Sequence, residues 1–548
     1  MDWNALSELL LPDSQKTPAE LEAQYPPRNL PEGAMVTRIA PSPTGFMHLG
    51  NLFGALTDER LAHRSGGVFY LRIEDTDAKR EVAGGVETIL STFSRFGLAF
   101  DEGAGIDGER GDYGPYRQRQ RAETYHVFAK ELIRQGRAYP CFCTEEELEQ
   151  MRSAQEAEKA NFGYYGSYAR CRNLTLEQIK EKLAAGQPYV LRFKSNGTGA
   201  EKIAHKDCIK GNLELTANDQ DVVLLKSDGI PTYHFAHVVD DHLMRTTHVV
   251  RGEEWLATLP IHLELFQALG WQPPEYCHTA QLMKMENGGK RKLSKRKDPE
   301  LALDFYLSEG YPVPSVKEYL LTLLNSNFEE WRIANPAAPV EEFPFSCEKM
   351  SVSGSLFDLD KLRDVSKNVI AAMSAEEVYS LLADWAREYD PDFYALLSAD
   401  PDYARAILAI GRGGPKPRKD IALYSEFKPY MSLFYEELFA RQDGFSEKVD
   451  PADAATILDR YTELYDPSLE NDAWFAQVKE LSAELGFSPD VKAYKKNPEA
   501  FKGHVGDVSG VLRVAVTGRT NSPDLCSVMK LLGKERVLRR ISEARATL

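Results

Sequence analysis

The stretch from Arg38 to Asn51, R-I-A-P-S-P-T-G-F-M-H-L-G-N, limits the fold more than any other part of the chain. An apolar strand start runs into Pro41 and Pro43, which cannot donate to a helix, and then Gly45 and Gly50, so the backbone halts in a fixed, open loop. Asn51 to Arg64 reads as a helix with Leu52, Phe53 and Leu56 on one face, ended by Gly66-Gly67. Val68 to Ile73 is apolar and β-prone, and it delivers Glu74, Asp75, Thr76 and Asp77 to its carboxyl end. Strand, loop, helix, strand and acidic tip make half of a nucleotide-binding unit, because ligands of an open parallel sheet gather at the carboxyl ends of its strands. His48 and Gly50 fall where the loop meets the helix N-terminus, whose unpaired N–H groups favour an anion. Such turns also occur without a ligand, so these residues alone leave phosphate binding open. Among the acids Glu74 is the functional candidate, while Asp75 and Asp77 also fit turn or capping roles.

At 548 residues the chain exceeds one hydrophobic core, and the length prior gives about three to four domains. A net charge of −17 excludes a generally basic nucleic-acid coat and confines any RNA contact to local patches. One patch is Lys290 to Lys297, where six of eight residues are basic; another is the Pro-Gly-bent loop Gly411 to Lys419. Each reads as a polyanion contact or as a solvated turn. Seven cysteines without regular pairing fit a reducing compartment, and no stretch has signal-peptide form or bilayer-spanning length. The expectation is a cytoplasmic protein with no membrane partner.

Cys141 and Cys143, with Cys171 further on, have a spacing that suits zinc, although a structural site needs four ligands and free cysteines also act as small buried residues. Gly229 to His242 and Thr247 to Trp255 read as further apolar strands completing the sheet. His234, His237, His242 and His248 lie along them without metal-ligand spacing and read as satisfied histidines. Beyond about residue 300 the pattern is helical. Ser374 with Glu377 makes a capping box, after which Val378, Leu381, Leu382 and Trp385 recur at helical spacing; Trp474, Val478, Leu481 and Leu485 form a similar core stripe. Asp390-Pro391-Asp392 and Asp400-Pro401-Asp402 suggest a variable connection.

R-I-A-P-S-P-T-G-x-x-H-L-G, R-I-E-D-T-D, the strings Gly229 to His242 and Thr247 to Trp255, and K-L-S-K-R at Lys292 to Arg296 together resemble the bacterial-type glutamyl-tRNA synthetases, a family of class I aminoacyl-tRNA synthetases. The resemblance covers roughly residues 35 to 548 and is weakest at 1–34 and about 385–450. It implies an α/β fold: a class I Rossmann-like doubly wound parallel sheet with an inserted acceptor-binding domain and all-α C-terminal anticodon-binding domains. The implied division is an N-terminal extension (1–34), Rossmann-like halves (35–114 and 231–284), the tRNA acceptor-binding insert (115–230), a stem-contact domain with the KLSKR loop (285–372) and helical anticodon-binding domains (373–548).

The same resemblance implies a monomeric, ATP- and Mg2+-dependent ligase that activates L-glutamate and transfers it to tRNA(Glu). Whether tRNA(Gln) is also charged stays open, and the alternative is a non-catalytic tRNA-binding or regulatory paralogue. By position, it gives catalysis to His48, Lys292 and Lys295, and glutamate binding to Arg38, Ala40, Ser42, Glu74, Tyr233, His237 and Arg251. ATP would meet His48, Gly50, Glu254, Trp255, Lys292 and Lys295, and zinc would meet Cys141, Cys143 and Cys171 with Tyr168. Two guanidiniums, Arg38 and Arg251, suit the two carboxylates of glutamate while Glu74 faces its amine, and glutamine would leave one arginine without a counter-charge. His237 stands where relatives commonly carry asparagine, and Asn51, at the end of the H-I-G-H signature, has no assigned role.

Overall fold

Two helices, α1 (Trp3–Leu10) and α2 (Pro18–Gln24), precede the first strand, β1 (Val36–Ile39), which pairs in parallel with β2 (Val68–Leu71), and β2 with β3 (Glu102–Gly103). The computed structural model describes every residue except Ala78. Between β1 and β2 the chain forms the expected helix, α3 (Leu49–Arg64), burying Leu52, Phe53 and Leu56. A second parallel pair, β9 (His248–Gly252) and β10 (Glu275–Thr279), lies against the free edge of β1, where the Thr247 N–H donates to the Val36 carbonyl at 3.0 Å. From β1 the chain winds to β2 on one side, and from β9 it winds to β10 on the other. The carboxyl ends of β1 and β9 therefore flank a topological switch point, the place where open parallel sheets bind ligands.

The insert between the two halves holds an antiparallel sheet of β4 (Ala138–Cys141), β5 (Val190–Phe193) and β8 (Val223–Leu225), and a hairpin of β6 (Lys202–Asp207) and β7 (Gly211–Thr216). After β10, β11 (Leu282–Glu286) and β12 (Gly289–Lys292) form a hairpin turned by Asn287 at φ 51° and Gly288 at φ 81°. Left-handed backbone at both positions is what an Asn-Gly hairpin turn supplies. The N-terminal helices are built in: Glu22 pairs with Arg245 at 2.8 Å and Arg28 makes a two-pronged contact with Glu102 at 2.7 and 2.9 Å.

One element departs from expectation. The stretch from Gly229 to His242 is not a strand; after Thr232 it becomes helix α4 (Tyr233–Leu243). Its Val238-Val239 pair is β-prone, but helical winding buries Phe235, Ala236, Val238, Val239 and Leu243 while sending His237, Asp240 and Asp241 towards buried arginines. Packing and ion pairing override the local preference.

Two contact-defined units emerge, Met1–Phe305 with Lys317–Asp358, and Tyr306–Val316 with Leu359–Leu548. The second is helical around one apolar core that includes Val378, Leu382, Phe393, Leu408, Phe427, Trp474, Val478 and Leu512. Ser374 and Glu377 form their capping box, but Leu381 faces solvent and Val378, Leu382 and Ala386 carry the buried stripe. The two Asp-Pro-Asp strings start helices, Pro391–Ala399 and Pro401–Ala409, with Asp390 and Asp400 as N-caps. Proline in the first turn after a capping aspartate is a helix start signal. Among the described residues no helix is long and apolar enough to cross a membrane, and all seven cysteines are free.

Candidate active site

The Arg38–Asn51 loop ends on His48, the N-cap of α3. Asn51 has a structural duty there, since its side-chain carbonyl accepts the His48 N–H at 3.0 Å. Gly50 leaves room for the imidazole: a Cβ at this position would lie 3.1 Å from two atoms of the His48 ring. Burial first, then the charges of Lys295 and Lys292, pushes the His48 imidazole below its ordinary pKa, against an opposing pull from Glu254. His48 is thus neutral near pH 7, and its buried Nδ1 has no hydrogen-bond partner among the described residues.

The lysine hairpin reaches the same place. Ala302 bridges to His48, the Leu303 N–H donates to the Met47 carbonyl at 3.2 Å, and Lys295 Nζ stands 4.4 Å from the Phe46 ring centre. Its basic residues have separate tasks. Arg291 grips Asp298 through two bonds of 2.6 and 2.8 Å and Glu286 at 2.8 Å, and Asp298 also accepts the Ser294 N–H at 2.8 Å. These contacts shape the turn and leave Lys292 and Lys295 exposed. In the helical unit, Arg412 of the second basic loop donates to the carbonyls of Leu408, Ile370 and Met373, and Arg418 pairs with Asp420. Both arginines there fasten their own fold, whereas Lys416 belongs to the same loop's exterior.

Across the switch point lie the residues expected to meet glutamate. Arg38 is buried and binds Asp241 through Nε at 3.1 and 3.2 Å. Arg72 reaches the same carboxylate at 2.7 Å, and His237 Nδ1 does so at 2.7 Å. Burial by itself would raise the Asp241 carboxyl, but Arg38, Arg72 and His237 override it and hold it well below the usual carboxylate range. His237, also bonded through Nε2 to the Tyr276 hydroxyl at 3.0 Å, is pushed down to about 3 by burial. Glu74 contacts Arg72 at 3.2 Å, and burial raises its carboxyl despite that neighbour. Its neighbour Asp75 accepts the Arg119 N–H at 2.8 Å, a turn role. Ala40 is half-buried and Ser42 exposed in the loop, and the Tyr233 ring lies 4.5 Å from that of Trp255, with Glu254 exposed beside it.

Arg251, at the end of β9, is buried with different company: its Nε donates to His278 at 3.0 Å, its Nη1 to His262 at 3.1 Å, and among the described residues its Nη2 has no hydrogen-bond partner. Neither His262 nor His278 stood out in the sequence, where each is a lone histidine in an apolar run. The four histidines expected to be merely satisfied do not gather into a metal cluster among the described residues, although His234 and His262 meet at 3.0 Å.

The cysteines of the insert converge. The Sγ atoms of Cys141, Cys143 and Cys171 lie within 4.8 Å of one another, with Cys143 and Cys171 3.7 Å apart. Tyr168 is not the fourth member, because its hydroxyl turns outward to Glu158. Tyr164 takes that place, its hydroxyl 3.4 Å from Cys141 Sγ and 3.3 Å from Cys143 Sγ. The run Tyr164-Tyr165-Gly166-Ser167-Tyr168 offers three phenols, and spacing alone could not select among them.

Comparison with known proteins gives the family. The model of the class I tRNA synthetase (E and Q) catalytic domain matches residues 34–364, and that of an anticodon binding domain matches 377–545. A glutamate–tRNA ligase of Acetivibrio thermocellus is 55% identical over 542 residues, 99% of both chains, and one of Thermus thermophilus is 37% identical over 93% of this chain and 100% of its own. A glutamate tRNA ligase from Elizabethkingia meningosepticum, solved in complex with its amino acid, superposes with a TM-score of 0.74 at 30% identity, covering 94% of this chain and 99% of its own. With the switch-point loop, the lysine hairpin and near full-length identity in agreement, the chain belongs to the glutamate–tRNA ligase family of class I tRNA synthetases.

Proposed function

We propose that this chain is a glutamate–tRNA ligase that joins L-glutamate to AMP and then to the 3′ end of tRNA(Glu). The observation that carries this reading is the meeting, at one switch point, of the α3 N-terminus with neutral His48, of Lys292 and Lys295, and of buried Arg251 lacking a carboxylate partner. Glutamate's α-carboxylate attacks the α-phosphate of ATP and the bond to pyrophosphate breaks. The terminal adenosine hydroxyl of tRNA then attacks the acyl carbon, and AMP leaves. Alignment and charge stabilisation supply most of such catalysis.

In this reading His48 and Gly50 receive ATP at the helix N-terminus, with Glu254 and Trp255 opposite, and Lys292 and Lys295 meet the charge that grows on pyrophosphate. Arg38, Ala40, Ser42, Glu74, Tyr233, His237 and Arg251 surround glutamate. The sulfurs suit zinc, since ligands about 2.3 Å from the ion sit about 3.8 Å apart in a tetrahedron. Cys141, Cys143, Cys171 and Tyr164 would hold it, and bound zinc would brace the insert. Magnesium neutralises phosphate charge when bound with ATP; Glu254, whose field reaches His48, is the carboxylate on this chain that would face it. Residues 115–230 would grip the acceptor end, 285–372 the stem and 373–548 the anticodon, in a monomeric cytoplasmic enzyme.

Charging of purified tRNA(Glu) and tRNA(Gln) with labelled glutamate tests the reading and sets its breadth: tRNA(Glu) is charged, and failure on both tRNAs contradicts it. Lys295→Ala should slow adenylate formation about a hundredfold with little change in glutamate KM. A parent-like rate in both half-reactions would remove the hairpin from the chemistry.

A further inference from the structure

Buried guanidiniums are ordinarily held by carboxylates, as Arg38 is by Asp241. Arg251 is held otherwise. Among the described residues it makes no ion pair with a carboxylate, and two imidazole lone pairs orient it instead, His278 Nε2 at 3.0 Å and His262 Nδ1 at 3.1 Å. To accept from arginine, each ring must be neutral and carry its proton on the far nitrogen. The surroundings set that arrangement. His278 donates from Nδ1 to Asp207 at 2.6 Å, and Asp207 also accepts the N–H groups of Ile209 at 2.9 Å and Lys210 at 2.8 Å. His262 donates from Nε2 to His234 Nδ1 at 3.0 Å. Burial holds all three rings below the ordinary imidazole pKa, that of His234 down to about 4. The nearest negative charge on this path, Asp207, is one ring removed from the guanidinium; the Tyr233 hydroxyl is a further neutral neighbour, and among the described residues Nη2 has no hydrogen-bond partner.

A carboxylate in place of either imidazole would hold Arg251 more firmly but would cancel its charge. We propose that His262 and His278 are positioning residues that orient Arg251 while leaving its charge uncancelled, so that the side-chain carboxylate of glutamate is the counter-ion the site awaits. The proposal rests on the reading of Arg251 as a glutamate contact. A charged donor with no internal carboxylate gains strongly from a ligand carboxylate and little from a carboxamide, whereas a pre-neutralised one distinguishes them weakly.

Shape-matched variants separate charge from packing. His262→Asn keeps an acceptor near the Nδ1 position and His262→Asp adds charge at the same shape; His278→Gln and His278→Glu do so for Nε2. Each full-length variant is assayed by pyrophosphate exchange with glutamate or glutamine in the presence of tRNA(Glu), with folding checked by circular dichroism. The neutral variants should keep glutamate KM within about threefold of the parent, while the acidic ones raise it about thirtyfold and narrow the preference over glutamine similarly, with kcat little changed. Equal glutamate KM values within each pair would overturn the proposal. If one acidic variant fails to fold, the pair at the other position decides. Arg251→Gln, run alongside, distinguishes the two failures: an unchanged glutamate KM defeats the substrate reading itself, whereas a raised KM with indistinguishable pairs defeats only the role of the histidines.

Discussion

Arg38 and Arg251 sit on neighbouring strands at one switch point, both buried, and yet the fold treats their charges in opposite ways. Arg38 shares Asp241 with Arg72 and His237 in a closed ionic knot. Arg251 is steadied by imidazoles and, among the described residues, keeps one nitrogen without a hydrogen-bond partner. The first arrangement exchanges an arginine's binding power for rigidity, because a desolvated pair is strong only when complete. The second keeps a costly uncompensated charge, as expected where a ligand is to supply the counter-ion. Rigid placement and an open charge for the ligand thus fall to two residues of the same type.

That division can be broken in order of effect. Asp241→Asn strips the knot of its shared anion and leaves buried Arg38 without its carboxylate partner, while Arg72 keeps Glu74, so denaturant unfolding should show a loss of about 3 to 5 kcal/mol; a loss as small as that of Arg251→Gln would erase the contrast. Arg251→Gln should instead cost about 2 to 3 kcal/mol in kcat/KM for glutamate, with the smaller stability change of the two. The third effect is on pH. His237, pushed down to about 3 in the fold, stays neutral where the unfolded chain, with an ordinary value near 6.5, takes up a proton. The unfolded state binds more protons as pH falls from about 6.5 towards 3, so stability drops over that window, by roughly 2 kcal/mol at pH 5. Urea melts of parent and His237→Asn at pH 7 and pH 5 would show it, the variant having the flatter profile.

Much of this was legible in the chain, for physical reasons. Prolines and glycines punctuate the Arg38–Asn51 loop, β-prone residues follow it, and Lys290 to Lys297 concentrates charge, so both ligand-facing segments announce themselves locally. The misreadings concern tertiary choices. Val238-Val239 favours a strand until the winding of α4 lets Asp240 and Asp241 meet buried arginines. The outward turn of Leu381 and the selection of Tyr164 over Tyr168 depend on neighbours far along the chain. His262, His278 and Asp207 carry no local signal, since their roles exist only once β6, β9 and β10 and the helix after β9 have assembled around Arg251.

The central claim is glutamate activation at this switch point, and pyrophosphate exchange into ATP tests it most directly. Measured with glutamate and with glutamine, in the presence and absence of tRNA(Glu), the account predicts exchange with glutamate when tRNA is present and little with glutamine. No exchange with glutamate under either condition would contradict it and favour a tRNA-binding paralogue that has kept the fold without the chemistry.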